Sequence, residues 1–192
     1  MLIGGYTQHG FANEALDCYQ QMLDEGFSPD VITFSCILKA CGNIRLALKG
    51  EEIHADIHKR GFLFEDNPSL GTALIDMYTK CGSIEDAQNV FVGMPKHDAV
   101  SWNIMISGYV NEGYYVDALR LLGRMQEDAG YLGKPLALCI IKACTSLGVV
   151  HKCKLLHSLL LETGEESDIM IQNALVDMYA KCGSLEDAHA VF

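Results

Sequence analysis

Residues 77–87 read Met-Tyr-Thr-Lys-Cys-Gly-Ser-Ile-Glu-Asp-Ala, and the string returns almost unchanged at residues 178–188, 101 positions later, as Met-Tyr-Ala-Lys-Cys-Gly-Ser-Leu-Glu-Asp-Ala. In the first copy, Gly82 suits the left-handed backbone position that follows the end of a helix. Ser83 precedes Asp86 by three residues, which is the spacing of a capping box at a helix start. Each copy therefore predicts two helices joined by a short turn.

Further repeated segments extend the pattern over the chain. Lys39-Ala40-Cys41 returns as Lys142-Ala143-Cys144, and Gly5-Tyr6 returns as Gly108-Tyr109, both 103 positions later. Helix-like apolar patterns restart at five places, near Val31, Pro68, Ala99, Lys134 and Ile169. The units between these places are 31 to 37 residues long. A period in the thirties is typical of a solenoid built from stacked repeats.

The unit from Pro68 to Asp98 shows the helical period most clearly. Apolar residues follow one face of a first helix at Ala73, Leu74, Met77, Tyr78 and Cys81, and of a second helix at Ala87, Val90, Phe91 and Met94. Two amphipathic helices cannot bury their apolar faces alone, so neighbouring hairpins must stack. We therefore predict an all-α fold without strands, a right-handed α-solenoid of stacked helix-turn-helix repeats.

Composition and charge limit the classes of function. Of the 192 residues, 49% are apolar and 20% are charged, which is typical of a folded soluble protein. No apolar run approaches the roughly 18 to 20 residues that cross a bilayer, so we expect no membrane span. The net charge of −11 argues against non-specific binding to nucleic acid or to an anionic membrane. Because no Gly-rich phosphate loop and no nucleophile with a positioned base are found, we expect no catalysis, cofactor or small-molecule substrate in this chain.

The eight cysteines form no C-x-x-C pair, which argues against a zinc site. Six of them recur at equivalent repeat positions, as Cys36 with Cys139, Cys41 with Cys144 and Cys81 with Cys182. We predict reduced, metal-free cysteines that pack in the core. His54 and His58 have metal-binding spacing, but the repeat counterpart of His58 is Leu161, so a structural role is favoured. Cys144, His151, Cys153 and His157 are close in sequence, but Cys144 and His157 have repeat counterparts in Cys41 and His54, which favours core placement over a zinc site.

The repeats lack the T-P-L-H string of ankyrin repeats and the W-x-x-L-G-x-x-Y pattern of tetratricopeptide repeats. Essentially the whole chain resembles the pentatricopeptide repeat family instead, specifically its plant PLS class. The resemblance rests on Asp76 to Ser83, Asp177 to Ser184, Val100-Ser101-Trp102-Asn103, Leu38-Lys39-Ala40-Cys41 and Met94-Pro95. It implies pentatricopeptide repeats as the stacked helical pairs of the solenoid.

The resemblance also implies a division into P, L and S units. In chain order these are a P unit at 1–30 that lacks its first residues, L at 31–67, S at 68–98, P at 99–133, L at 134–168 and a partial S at 169–192. Both ends fall inside repeats, so we expect the chain to be part of a longer protein. Two departures stand out: extra residues at Phe64 to Asn67, and a unit that ends at Gly133 without Pro-Asp.

Members of the family bind single-stranded RNA with one base per repeat. The fifth and last residues of a unit read the base edge, and the second residue packs on the base. Carried over, the base-reading residues are Ser35, Asn67, Thr72, Asp98, Asn103, Gly133 and Asn173, together with the unit-ending Asp30 and Asp168. The base-packing residues with enough bulk are Ile32, Val100 and Met170, and the phosphate-binding lysines are Lys80 and Lys181.

The residue types imply which bases are read. Thr72 with Asp98 implies guanine, since a carboxylate accepts a hydrogen bond from the guanine ring N–H. Asn103 and Asn173 imply pyrimidines. Ser35 with Asn67 implies adenine. The unit 134–168 is interpreted as a spacer, because its fifth residue, Leu138, offers no hydrogen bond.

The charges separate between the two helices of each hairpin. Lys39, Lys80, Lys142 and Lys181 lie in predicted first helices, whereas most acidic residues lie in second helices and turns. The resemblance thus implies an RNA-recognition array of a plant organellar protein, in a mitochondrion or chloroplast, although no targeting signal is visible. It would serve C-to-U editing or RNA processing beside editing-complex proteins, with the deaminase outside this chain. The alternative is a helical-repeat scaffold for protein partners, which the net charge of −11 suits.

Overall fold

A computed structural model of the chain describes residues 2–128, 133–164 and 167–192. Within these ranges the chain forms twelve helices and no strand. In chain order they are α1 Leu2–Gln8, α2 Ala12–Asp24, α3 Val31–Asn43, α4 Ala47–Lys59, α5 Pro68–Cys81, α6 Ile84–Gly93, α7 Ala99–Asn111, α8 Tyr115–Asp128, α9 Lys134–Leu147, α10 Val150–Thr163, α11 Ile169–Lys181 and α12 Leu185–Val191. None of the described helices is both long and apolar enough to cross a membrane.

The helices form two compact units, Met1–Met105 and Ile106–Phe192. In the first unit, the odd-numbered helices α1, α3 and α5 pack in sequence, and α2 and α4 each pack against the odd-numbered helices on either side of them. In the second unit, α9 packs against α11, while α8 and α10 pack against α9. The prediction of an all-α helical-repeat solenoid is confirmed. Its right-handed sense stays a prediction.

The apolar faces anticipated from the repeats form the cores of these units. Phe34 in α3 is fully buried, and its ring lies 5.6 Å from that of Phe62 and 6.4 Å from that of Tyr19. Ile37 and Leu74 are also fully buried, on the facing helices α3 and α5. Burying one such side chain contributes about 1.5 to 3 kcal/mol. Packing between neighbouring hairpins therefore holds each unit together.

The turns within the duplicated string follow the prediction in the backbone and depart from it in the side chains. Gly82 has a φ of +80° and ends α5, and α6 begins two residues later at Ile84. The prediction of a capping box at Ser83 was wrong, since its side chain makes no capping hydrogen bond. Its ψ of 66° lies outside the extended range of such caps. In the second copy, the Ser184 hydroxyl donates to the Asp187 carboxylate instead of accepting a backbone N–H.

The repeated cysteines and histidines take up matching places in the two units. Cys41 and Cys144 are fully buried, and burial raises the pKa of each thiol to about 11. His54 Nδ1 lies 2.9 Å from the Tyr78 hydroxyl, and His157 Nδ1 lies 3.1 Å from that of Tyr179. Among the described residues, no three His, Cys, Asp or Glu side chains are arranged to hold a metal ion. The repeated positions thus serve packing between a second helix and the next first helix.

Candidate nucleic-acid interface

The predicted base-reading and base-packing residues lie at the starts of first helices. These helices begin at Val31, Pro68, Ala99, Lys134 and Ile169. The last residue of the preceding unit is then the N-cap, the second residue lies in the first turn, and the fifth lies one turn further on. Residues three apart share a helix face, so the second and fifth residues stand next to each other. The second and fifth residues of a unit therefore lie at the start of one first helix, and the last residue of that unit caps the next first helix.

The three bulky second residues are exposed although they are apolar. The exposed fraction is 73% for Ile32, 54% for Val100 and 54% for Met170. Scattered apolar residues on a surface are ordinary, but these occupy the same place at the start of three first helices. Their side chains offer an apolar contact beside the polar fifth residues. This arrangement can support the face of a base.

Two of the unit-ending aspartates are helix N-caps. Asp30 Oδ1 accepts the Thr33 N–H at 2.7 Å and the Thr33 hydroxyl at 2.7 Å. These hydrogen bonds lower the pKa of Asp30. Asp98 Oδ1 accepts the Ser101 N–H, also at 2.7 Å. Each carboxylate is thus held in one orientation by the helix it caps, and its Oδ2 has no hydrogen bond with a described residue.

Asp168 caps α11 in the same way and makes one contact more. Its Oδ1 accepts the Met170 N–H at 2.8 Å and the Ile171 N–H at 3.4 Å. Its Oδ2 accepts a hydrogen bond from Lys134 Nζ at 2.6 Å. The Lys134 ammonium is the main cause of the lowered pKa of Asp168. Both carboxylate oxygens of this aspartate are therefore occupied.

The two hydroxyl side chains at fifth positions point along their own helices. Thr72 Oγ1 donates to the Pro68 carbonyl oxygen at 3.3 Å, and Ser35 Oγ donates to the Val31 carbonyl oxygen at 2.8 Å. A hydroxyl that donates in this way keeps lone pairs that accept hydrogen bonds. Both residues can still receive an N–H from a ligand.

The two amides at fifth positions have free hydrogen-bonding capacity. Asn103 is half-buried, and its Oδ1 is buried without a hydrogen-bond partner in the described part of the chain. Asn173 is exposed at the start of α11. A buried carbonyl oxygen without a partner costs about 1 to 3 kcal/mol, and a base would recover part of that cost only if the Asn103 amide turned to the surface to accept its hydrogen bond.

The predicted phosphate-binding lysines are exposed and ion-paired. Lys80 Nζ lies 2.6 Å from Asp76 Oδ2, and Lys181 Nζ lies 2.7 Å from Asp177 Oδ2. Each pair spans four residues on the surface of a first helix, where such a pair contributes about 0.3 to 0.5 kcal/mol. Little free energy is lost when an anion replaces the aspartate. Both ammonium groups can therefore exchange their partners.

These helix starts belong to repeats with known relatives. The model of the PPR repeat family matches residues 1–43, and the PPR repeat model matches residues 72–98, 100–128 and 173–192. The chain belongs to the pentatricopeptide repeat family. It is 36% identical to a chloroplastic pentatricopeptide repeat-containing protein of Arabidopsis thaliana and 36% identical to a mitochondrial one. All of this chain is matched, but it spans only 22% and 30% of these relatives.

Solved structures of pentatricopeptide repeat proteins share the fold. The crystal structure of PPR10 in complex with an 18-nt psaJ RNA element matches 100% of this chain and 28% of that chain, with a TM-score of 0.76 and 20% identity. The crystal structure of PPR10 from maize matches 99% of this chain and 28% of that chain, with a TM-score of 0.74 and 18% identity. At these identities the likeness establishes the solenoid fold alone.

In this pentatricopeptide repeat chain, two unit-ending residues depart from the arrangement of the aspartates. Asn67 directs its Nδ2 to the Leu63 carbonyl oxygen at 3.3 Å and makes no capping hydrogen bond. Gly133 is buried at the N-cap of α9 and has no side chain to present. The units 31–67 and 99–133 therefore lack the fixed carboxylate that Asp98 supplies to the unit 68–98.

Sequence reasoning missed the capping role of the aspartates and the partner of Asp168. The first could have been read from the spacing, because Asp30 precedes Thr33 by three residues and Asp98 precedes Ser101 by three. The second joins residues 34 positions apart, and no local pattern indicates it. A lysine as the first residue of a unit was the only available signal.

Proposed function

We propose that this chain binds single-stranded RNA in a sequence-dependent manner, with one base per repeat. The proposal rests mainly on one arrangement: at the starts of α3, α7 and α11, a fixed capping carboxylate, an exposed apolar second residue and a polar fifth residue lie together. The complex of PPR10 with an RNA element, on the same fold, supports it. A base would pack against a second residue and present its edge to the fifth and last residues of one unit, the last being the cap of the next first helix.

The site at the end of the unit 68–98 is the most specific. Asp98 Oδ1 is occupied by the Ser101 N–H, which leaves Oδ2 to accept a hydrogen bond from a base. Thr72 is a short side chain that leaves room for a purine. Guanine offers a ring N–H to the carboxylate, whereas adenine presents an unprotonated nitrogen at the same place. We therefore assign guanine to this unit.

We further infer that the chain belongs to a PLS-class factor in a mitochondrion or chloroplast that selects a site for C-to-U editing or RNA processing. Relatives named chloroplastic and mitochondrial support the organelle. The duplicated residues 77–87 and 178–188, with units of unequal length, support the class. The chain would supply recognition, and a deaminase elsewhere in the protein or in an editing partner would perform the chemistry.

Selection from a random pool of single-stranded RNA tests this proposal against the scaffold alternative. We expect enrichment of RNAs with a fixed guanine and of unpaired RNA over duplex, because the polar groups are placed for base edges that a duplex hides. Enrichment of no sequence, together with affinity for acidic or basic protein partners, would favour the scaffold, which a net charge of −11 also suits.

Lys80 provides a prediction that separates phosphate contacts from base contacts. Lys80→Ala is expected to weaken all RNA sequences alike and to reduce the slope of log affinity against log salt by about 0.7, as for one lost phosphate contact. The matched variant Asp76→Asn should strengthen binding, because it releases the lysine from its ion pair and removes a negative charge. Fluorescence anisotropy at several salt concentrations measures both effects. A loss that depends on the base sequence would contradict the phosphate role.

A further inference from the structure

The three capping aspartates differ in what their second carboxylate oxygen contacts. For Asp30 and Asp98, no described residue forms a hydrogen bond or ion pair with Oδ2. For Asp168, Oδ2 receives Lys134 Nζ at 2.6 Å. This contact joins the start of α9 to the start of α11, across a whole repeat. Asp168, a residue that could contact a base, is thus already hydrogen-bonded to Lys134.

Helix electrostatics explain why the lysine is paired. Lys134 is the first residue of α9, where the helix dipole disfavours a cation. The carboxylate of Asp168 offsets this effect. The other first helices of complete or partial units begin with Val31, Pro68, Ala99 and Ile169, none of which can donate from a side chain. The pair is therefore specific to the repeat 134–168.

The pair is about as well covered as Lys80–Asp76 and better covered than Lys181–Asp177, and it differs from both because two backbone N–H groups already hold the Asp168 carboxylate in place. The side chains are 37% exposed for Lys134 and 29% for Asp168, against 62% and 57% for Lys181 and Asp177. Solvent and salt screen such a partly covered pair less than a surface pair. Its 2.6 Å separation is that of a strong charge-assisted hydrogen bond. A neutral base N–H would compete poorly with the ammonium for the same oxygen.

We propose that Lys134 determines specificity by withholding the Asp168 carboxylate from RNA, so that the repeat 134–168 accepts a nucleotide without selecting its base. The inference rests on the proposed function, and it assigns the lack of selection to a second cause besides Leu138. Leu138 at the fifth position supplies no hydrogen bond, but it does not block the carboxylate. Removal of the lysine should therefore leave a site in which Asp168 alone contacts the base edge.

The chemistry of a free carboxylate sets the base preference that such a site would have. A carboxylate only accepts hydrogen bonds, and it pairs with the ring N–H of guanine or uracil. Adenine and cytosine present an unprotonated ring nitrogen, which repels it. The expected gain is therefore a preference for guanine and uracil over adenine and cytosine at the nucleotide that faces this repeat.

Three variants test the proposal: Lys134→Met, Asp168→Asn and the double variant. Methionine keeps an unbranched stem without the charge, and asparagine keeps the N-cap acceptor. Binding is measured on single-stranded RNAs that carry each base two nucleotides from the guanine assigned to Thr72 and Asp98. We expect the wild type and Asp168→Asn not to discriminate there. Lys134→Met should prefer guanine and uracil about fivefold, and the double variant should lose that preference.

Asp98→Asn in the same binding series separates this inference from the proposed function. If Asp98→Asn shifts the base preference at its own nucleotide but Lys134→Met gains none, the inference is overturned and the proposed function stands. If neither variant changes a preference, both fail. NMR titration of the Asp168 carboxyl adds a readout without RNA: Lys134→Met should raise its pKa towards the ordinary value. An unchanged titration would overturn the pairing on which the inference depends.

Discussion

Trp102→Ala is expected to lower the free energy of unfolding of the first unit by about 3 to 5 kcal/mol, as for other buried aromatic residues replaced by alanine. Trp102 is fully buried in α7. Its ring lies 4.8 Å from that of Phe91 and 5.2 Å from that of His97, so it connects the start of α7 to the end of α6. The truncation would leave a cavity in this contact, which neighbouring repeats need for their stacking.

Trp102→Phe is the matched control for this prediction. The indole Nε1 has no hydrogen-bond partner among the residues that the structure describes, so phenylalanine loses packing volume without breaking a described hydrogen bond. We expect it to cost about 1 to 2 kcal/mol, well below the cost of alanine. Urea unfolding followed by circular dichroism measures both variants. Equal destabilisation by the two would mean that an unobserved hydrogen bond, rather than the packing of the ring, makes Trp102 important.

The helical architecture could be predicted from the sequence because its signals are local. Gly82 and Gly183 each ended a predicted first helix, and both have a φ of +80°. Glycine adopts the left-handed backbone conformation at a helix end because it has no Cβ atom, and no tertiary contact is needed to specify it. Apolar residues at helical spacing then identify the buried faces. The same information is present in every copy of the repeat, which makes it easy to recognise.

The details of the candidate site depend on geometry that a residue pattern does not contain. The spacing of Ser83 and Asp86 is that of a capping box, but Ser83 has a ψ of 66° and makes no capping hydrogen bond. The contact of Lys134 with Asp168 requires α9 and α11 to be packed side by side. The first feature depends on the backbone torsion at one residue, and the second on a distance of a few ångströms between two helices. Residue types alone therefore indicate which positions face a ligand, but not which of them are already occupied.

Asp98→Asn is expected to shift the base preference at one nucleotide from guanine towards adenine by about 1 kcal/mol, or about fivefold in affinity. The substitution replaces an acceptor with an amide that can also donate. The amide N–H can pair with the unprotonated ring nitrogen of adenine, whereas the carboxylate cannot. Thr72 leaves the same space in both proteins, so the change in preference reports the hydrogen bond alone. Binding of short RNAs varied at that nucleotide measures it.

This substitution is informative because it leaves the helix start intact. Asparagine is as good an N-cap as aspartate, and its Oδ1 can still accept the Ser101 N–H. The loss of one negative charge should tighten the binding of all RNAs slightly, but a general gain does not alter the ratio of guanine to adenine. The ratio is therefore the quantity to compare, with circular dichroism as the control for folding. An unchanged ratio in a folded Asp98→Asn protein would remove Asp98 from base reading and favour the protein-binding scaffold.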